Sequence, residues 1–98
     1  MVNNNYYMYV IECLDGSLYT GYSTDVLRRF KQHASGKGAK YTKAHPPKRL
    51  IYYEQFDNQH AALHAEAEFK KKSRKQKLTY ITENESDLPL LEAGKMIQ

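Results

Sequence analysis

The segment "YYMYVIECLDGSLYTGY", residues 6–22, decides how the rest of the chain is arranged. Residues 6–13 are mostly aromatic or β-branched, side chains that suit a pleated, half-buried surface. "LDGS" reads as a turn and "LYTGY" as a second strand running back along the first. The loop length sets the meaning of the tyrosines. A two-residue Asp15-Gly16 loop would put Tyr9 and Tyr19 on opposite faces, because side chains alternate along a strand. A three-residue Leu14-Asp15-Gly16 loop, with Gly16 in the left-handed conformation, puts them on one face. It also sets Tyr9 opposite Gly21, where the missing side chain leaves room. The three-residue loop is favoured for that reason, although residue types alone permit both.

Outward from the hairpin, "STDVLRRFKQHAS" reads as a helix capped by Ser23 or Thr24, with Asp25 in its first turn and its end near Ser35. At about 100° per residue, Val26, Leu27, Phe30 and Ala34 form one apolar stripe. Arg28 lies opposite it, facing water. Arg29 and His33, four residues apart, border the stripe on one edge. Basic side chains at such a border commonly run along the core and keep their charge in water; the other reading is that these two are aimed at a ligand. "SGKGAKYTKAHPPKR" follows as a loop with one short helical turn, stopped by Pro46-Pro47. A third strand over 49–56 comes next, then a long helix over 58–73 capped by Asp57 or Asn58. A shorter helix over 74–84 and a loosely packed tail over 85–98 complete the pattern.

The chain has 98 residues, enough for one core, so a single domain over 1–84 with the tail 85–98 is expected. With 15 Lys and Arg against 11 Asp and Glu, the net charge of +4 favours a polyanionic partner without requiring one. Cys13 is the sole cysteine, which excludes an intrachain disulfide and a Cys-based zinc site. The N-terminal residues lack a secretory pattern, and no stretch approaches the roughly 20 apolar residues of a membrane span. A cytoplasmic protein with no membrane association is expected.

The long second helix places Ala62, Glu66, Phe69 and Ser73 on one line, flanked by Leu63 and Ala65, with Glu68 on the opposite face. A carboxylate within an apolar stripe is costly unless it is paired, hydrogen-bonded or bound to a metal. Glu66 is thus either half of a structural ion pair, for instance with Arg29, or a single carboxylate ligand for a hard cation such as Mg2+. His60 and His64 have metal-pair spacing but fall on the solvent side with no third ligand, and are read as surface histidines. The run "KKKSRKQK", residues 70–77, is strongly basic. A solvated basic face is its ordinary explanation. Together with Lys37, Lys40, Lys43, Lys48 and Arg49 it makes a surface that follows phosphates plausible. Lys37, Lys40, Lys43, Lys70, Lys71 and Arg74 are the candidate nucleic-acid contacts.

These residues together resemble the core of GIY-YIG nucleases. Tyr7-Met8-Tyr9 stands where the family has its first tripeptide, with Tyr7-Met8 in place of Gly-Ile, and Tyr19-Thr20-Gly21 stands for the second. The family's arginine falls on Arg29, its next aromatic or histidine position on His33, and its metal-binding glutamate on Glu66 within "AALHAEAEFK". The resemblance covers about residues 6–77 and is closest to the small stand-alone bacterial members. The catalytic subunit of the eukaryotic structure-specific endonuclease is similar in "GYSTDVLRRFKQH", "SGKGAKYT" and "AALHAE". Tyr22 stands where the excision-repair branch has a lysine, and the second DNA-binding domain of homing and repair members has no counterpart here.

The resemblance implies an α+β fold, a three-stranded, mainly antiparallel sheet with a β-hairpin, flanked by helices. It implies metal-dependent hydrolysis of phosphodiester bonds in a nucleic acid, DNA being expected, with branched or repair intermediates as the substrate class. Catalytic roles are implied for Tyr9, Tyr19, Arg29, His33 and Glu66. Glu66 would hold one Mg2+ or Mn2+, Arg29 would clamp a phosphate oxygen, and Tyr19 would take the proton of a water that Tyr9 positions. His33 would hydrogen-bond phosphate or relay that proton. A protein partner that supplies substrate specificity is also implied. The alternative is a nucleic-acid-binding module on the same scaffold with little or no activity.

Overall fold

The computed structural model describes residues 5–84. The tail expected over 85–98 lies outside the described residues. The elements are β1 (Tyr6–Cys13), β2 (Leu18–Ser23), α1 (Val26–Ala34), α2 (Lys40–Ala44), β3 (Pro47–Phe56), α3 (Gln59–Lys70) and α4 (Arg74–Asn84). The sheet order is β2-β1-β3, with both pairs antiparallel. This is the α+β arrangement expected, with the hairpin's first strand at the centre.

Tyr9 pairs with Gly21 and Ile11 with Tyr19, which requires the three-residue loop. The Cys13 N–H donates to Ser17 O at 2.8 Å and the Gly16 N–H to Cys13 O at 2.9 Å, closing the turn. Gly16 has φ +85°, the left-handed region that a side chain resists. The sheet separates two cores. Tyr9, Ile11 and Cys13 point to one face, where they meet Val26 and Phe30 of α1 and Leu50 of β3. Met8 and Val10 point to the other, against Tyr52, Phe69 of α3 and Ile81 of α4. On that second face the Glu54 carboxylate accepts from Tyr52 Oη at 3.0 Å and Tyr80 Oη at 2.7 Å, fastening α4 to β3. None of the described helices is long and apolar enough to cross a membrane.

Several element ends differ from the sequence reading, each for a local reason. Asp25, not Ser23 or Thr24, caps α1, because its Oδ1 accepts from the Arg28 N–H at 3.2 Å. Ser23 Oγ instead accepts from the Asp25 N–H at 2.9 Å, turning the chain into the cap. Ala34 of the expected stripe is exposed, and His33 takes the buried place instead. Strand β3 starts at Pro47, two residues early, because it is an edge strand and its first position need not donate. Asn58, one of the two caps expected, caps α3 through the Ala61 N–H. The α3 helix ends at Lys70 rather than Ser73, since Ser73 belongs to the next helix. Ser73 Oγ accepts from the Gln76 N–H at 3.2 Å and Gln76 Oε1 from the Ser73 N–H at 2.9 Å, a reciprocal capping box.

These caps give a direct test. Asp25→Ala and Ser73→Ala are each expected to lower unfolding free energy by about 1 kcal/mol, whereas Thr24→Ala should stay within about 0.5 kcal/mol. Urea denaturation of the three variants reads the difference, and a Thr24→Ala loss as large as that of Asp25→Ala would return the cap to Thr24.

Candidate active site

The hairpin register lets the Tyr9 ring lie across Gly21. A Cβ at Gly21 would sit 2.5 Å from Tyr9 Oη. Through that gap the phenol reaches α1, where Tyr9 Oη and His33 Nε2 are 2.8 Å apart. His33 Nδ1 in turn lies 2.7 Å from Thr42 Oγ1 of α2, and Thr42 Oγ1 donates to Ala39 O at 3.0 Å. The threonine has one proton, and the Ala39 carbonyl takes it. We therefore assign the ring proton to Nδ1, donating to Thr42, which leaves Nε2 to accept from Tyr9. The Ala39 N–H also reaches Nδ1, at 3.4 Å, a longer and weaker contact than the 2.7 Å to Thr42 Oγ1. Tyr9, His33 and Thr42 are all buried. Gly38 makes the same kind of room behind the imidazole, since a Cβ there would overlap His33 Nδ1.

Tyr19, on the same face as Tyr9, is half-buried and packs its ring 5.0 Å from that of His33 and 6.3 Å from that of Tyr9. Burial pushes the Tyr9 phenol well above its ordinary value, and the neighbouring Tyr19 adds to this, while the Arg29 guanidinium opposes it and the Glu66 carboxylate adds a smaller upward push. Those influences bring Tyr19, Arg29 and Glu66 into the electrostatic surroundings of one phenol. Burial, with a contribution from Arg29, lowers the His33 imidazole from 6.5 to about 4, so it is neutral at physiological pH.

Arg29 is half-buried and Arg28 exposed, as the helical wheel indicated. The Arg29 Nη1 donates to Gln32 Oε1 at 2.9 Å, which fixes the plane of the guanidinium. Both arginines line a cavity of about 190 Å³ together with Ser23, Thr24, Asp25 and Gln32. Glu66 has a side chain 17% exposed, largely covered as its place within the apolar stripe led one to expect. Its ion-pair partner is not Arg29 but Lys70, one turn on, with Nζ 3.1 Å from Oε2. The i, i+4 lysine is already on the same helix face, and no chain crossing is needed.

The candidate nucleic-acid contacts fall into two groups. Lys37, Lys40 and Lys43 are exposed along the α1–α2 connection and α2. Lys70, Lys71 and Arg74 are exposed at the α3–α4 junction, but each has a partner: Glu66, Glu68 at 2.9 Å, and the Gly16 carbonyl respectively. His60 and His64 are exposed on α3 as expected. Sequence reasoning missed Thr42 and Gln32. Gln32 was legible from its i+3 spacing to Arg29; Thr42 carried no signal, because its role depends on a long-range contact.

The family model of the GIY-YIG catalytic domain matches residues 5–84. The chain belongs to the GIY-YIG family. Curated relatives include a UPF0213 protein of Streptococcus sanguinis, 58% identical over 82 residues, covering 84% of this chain and 94% of the relative. A UPF0213 protein of Streptococcus agalactiae is 56% identical, over 83% of this chain and 92% of the relative. The solution NMR structure of the UPF0213 protein BH0048 from Bacillus halodurans matches with TM-score 0.55 at 46% identity, covering 84% of this chain and 87% of that one. A second NMR structure, of protein EF2693 from E. faecalis, matches with TM-score 0.56 at 46% identity, over 84% and 88%. The chain is thus similar to small stand-alone bacterial proteins with the same α+β fold. GIY-YIG proteins are a nuclease family, acting on nucleic acid and in general dependent on a divalent metal.

The donor set can be judged against such an ion. Among the described residues, no group of three or more His, Cys, Asp and Glu side chains converges. One partly exposed carboxylate, Glu66, within electrostatic reach of Tyr9, fits a hard cation that keeps water and substrate oxygens in most of its positions, and fits poorly a zinc ion that needs a nitrogen or sulfur cage.

The buried imidazole gives a pH signature. In the unfolded chain His33 takes up a proton as pH falls through about 6.5, while the folded state resists until about 4. Stability is therefore complete above 6.5 and declines below it, by on the order of 3 kcal/mol at most from this group. Urea midpoints between those limits are expected to rise with pH more steeply in the parent than in His33→Gln. Thr42→Val, which strands the Nδ1 proton, should lose about 1–3 kcal/mol. Parallel pH profiles for parent and His33→Gln would contradict the neutral buried imidazole.

Proposed function

We propose that this GIY-YIG protein is a divalent-metal-dependent endonuclease that hydrolyses phosphodiester bonds in DNA, with branched or repair intermediates as its substrates, acting in the cytoplasm. The observation that carries the reading is the convergence of Tyr9, Tyr19, His33 and Arg29, from three separate elements, on one partly open face with Glu66 in electrostatic reach. A binding module needs only the basic surface and has no use for a buried phenol–imidazole–hydroxyl chain.

In this reading each residue has a definite task. Tyr9 donates its proton to His33, and its oxygen, beside Arg29 at the buried inner end of the site, positions the attacking water. Tyr19, less buried than Tyr9, is the general base: as a phenolate, its own proton given up to solvent beforehand beside the positive charge of Arg29, it takes that water's proton. His33, neutral and held in one tautomer by Thr42, keeps the Tyr9 oxygen in place. Arg29, its plane set by Gln32, clamps a non-bridging phosphate oxygen with a planar fork that a lysine lacks. Glu66 holds the divalent ion. When bound, that ion lowers the barrier by stabilising charge on the phosphate and on the leaving oxygen. The lysines of the α1–α2 connection and of the α3–α4 junction contribute sequence-independent affinity, and a protein partner supplies further substrate choice.

Cleavage of a panel of flap, branched, single-stranded and duplex DNAs in Mg2+ or Mn2+ tests this. Arg29→Ala should lose roughly 10²–10³ in rate, the usual loss for one transition-state donor, and Arg28→Ala far less. Glu66→Gln should lose orders of magnitude in cleavage but retain binding in chelator, with Glu68→Gln unaffected. Stability of Glu66→Gln should be nearly that of the parent, because a half-exposed i, i+4 pair is worth only about 0.3–0.5 kcal/mol. A parent that binds the whole panel and cleaves none of it with either metal would leave the binding-module alternative standing.

A further inference from the structure

The buried side of α2 is explained by Thr42, the residue that fixes His33. Its exposed side is not. Tyr41 is 38% exposed, and its ring stacks near-parallel on two others: Tyr19, at 5.9 Å and 25°, and His45, at 4.2 Å and 20°. Three rings thus run in sequence from the site tyrosine out to solvent. The outer two are held rigidly. The His45 side chain donates from Nδ1 to Asp15 Oδ2 at 2.6 Å, and the Asp15 carboxylate also accepts from the Ser17 N–H at 3.0 Å and Ser17 Oγ at 2.6 Å. The next residue, Pro46, accepts from the Leu14 N–H at 2.8 Å, and the His45 N–H donates to Tyr41 O at 2.8 Å. So a five-residue helix without a side-chain cap is tied to the hairpin turn on one side and to His33 on the other, and it displays aromatic surface to water.

The charge around these rings is of one sign. No Asp or Glu occurs between residues 26 and 53, and Lys40 and Lys43 flank Tyr41 on α2. Arg74 reaches the same hairpin turn through the Gly16 carbonyl. Exposed, preorganised aromatic rings inside a cationic surface suit a nucleobase, which has an apolar face and a phosphate on either side. Bases within a duplex are already stacked on each other and cannot offer that face.

We propose that Tyr41 and His45 form a platform on which an unpaired base of the substrate stacks next to the site, so that strands with a flap, loop or end are preferred over continuous duplex. The proposal rests on the nuclease reading for its substrate, but its test does not need cleavage. Binding is measured in chelator by fluorescence anisotropy with labelled single-stranded, flapped and blunt duplex DNA, and with the RNA versions of each, which would present the same base faces. Tyr41→Leu, which keeps bulk and removes the ring, should weaken single-strand and flap binding by roughly five- to a hundredfold. It should change blunt-duplex binding by less than about twofold, with the salt slope unaltered because no charge has changed. Tyr41→Trp should restore the preference, and His45→Ala should lose part of it. These last two carry the test if Tyr41→Leu melts early. Equal loss on all three substrate forms, or undiminished single-strand binding by both Tyr41→Leu and His45→Ala, overturns the platform. The preference with no metal-dependent cleavage would overturn the nuclease reading and leave the platform standing; cleavage without the preference would do the reverse.

Discussion

The site depends on one close approach, the Tyr9 ring lying over Gly21. Tyr9 belongs to the central strand and His33 to a helix packed on its face; only because position 21 has no side chain can the phenol oxygen pass across β2's backbone and meet the imidazole. Gly38 clears the other side of the same imidazole. Between the two glycines runs a continuous polar chain, Tyr9 to His33 to Thr42 to the Ala39 carbonyl, in which every proton has an acceptor. A buried histidine with one nitrogen unsatisfied would be a liability; with both satisfied it becomes a rigid element. The chain joins β1, α1 and α2, so it positions the short helix as well as the phenol.

Much of this was legible in the sequence wherever a local rule decided the outcome. Gly16 and Gly21 favour the three-residue turn that the structure has, and the turn fixes which tyrosines share a face. Arg29 stands apart from Arg28 on a helical wheel, and Glu66 stands apart from Glu68. The reading was weaker where a local device competed with a longer pattern. The continuous basic run concealed the Ser73–Gln76 capping box, and the apolar period of α1 concealed Asp25 as its cap. His33 could be placed only at the edge of the stripe, because its complete burial depends on Tyr9 and Thr42, from elements distant in sequence. For Glu66 the sequence leaves an ion pair, for instance with Arg29, beside a metal-ligand role, whereas Lys70, one turn away, is the partner it has.

Charge is distributed to match. The acidic side chains that do occur near the basic ones are mostly consumed: Glu68 holds Lys71, Glu12 holds Arg49 at 2.7 Å, and Glu54 accepts from two tyrosines on the second core. Asp15, at the hairpin turn, is held well below the usual carboxylate range by the Ser17 hydroxyl and N–H and then by His45, so it stays ionised and keeps the imidazole of His45 oriented. The segment from α1 to the start of β3 is left with lysines and arginines and no acid of its own. It is also the segment that carries Arg29, His33, Thr42 and Tyr41. The residues assigned to phosphate, to orientation and to base stacking therefore sit in one stretch of chain whose field attracts a polyanion.

Glu66 and Lys70 add the final constraint. A carboxylate with a side chain 17% exposed is paired with a lysine whose own side chain is 52% exposed. The arrangement is asymmetric: Glu66 is fixed by its place on α3, whereas Lys70 can swing into water at little cost, since such pairs contribute only a few tenths of a kcal/mol. In the proposed reading, a divalent cation held by Glu66 would bring twice the charge of the ammonium beside it, and so weak a pair would give way at little cost. The lysine would remain on the same helix turn, with its charge in water. A half-buried partner on another element, such as Arg29, could be exchanged less readily than a lysine already reaching into water. The local pairing that sequence reasoning overlooked is thus the one that leaves Glu66 available.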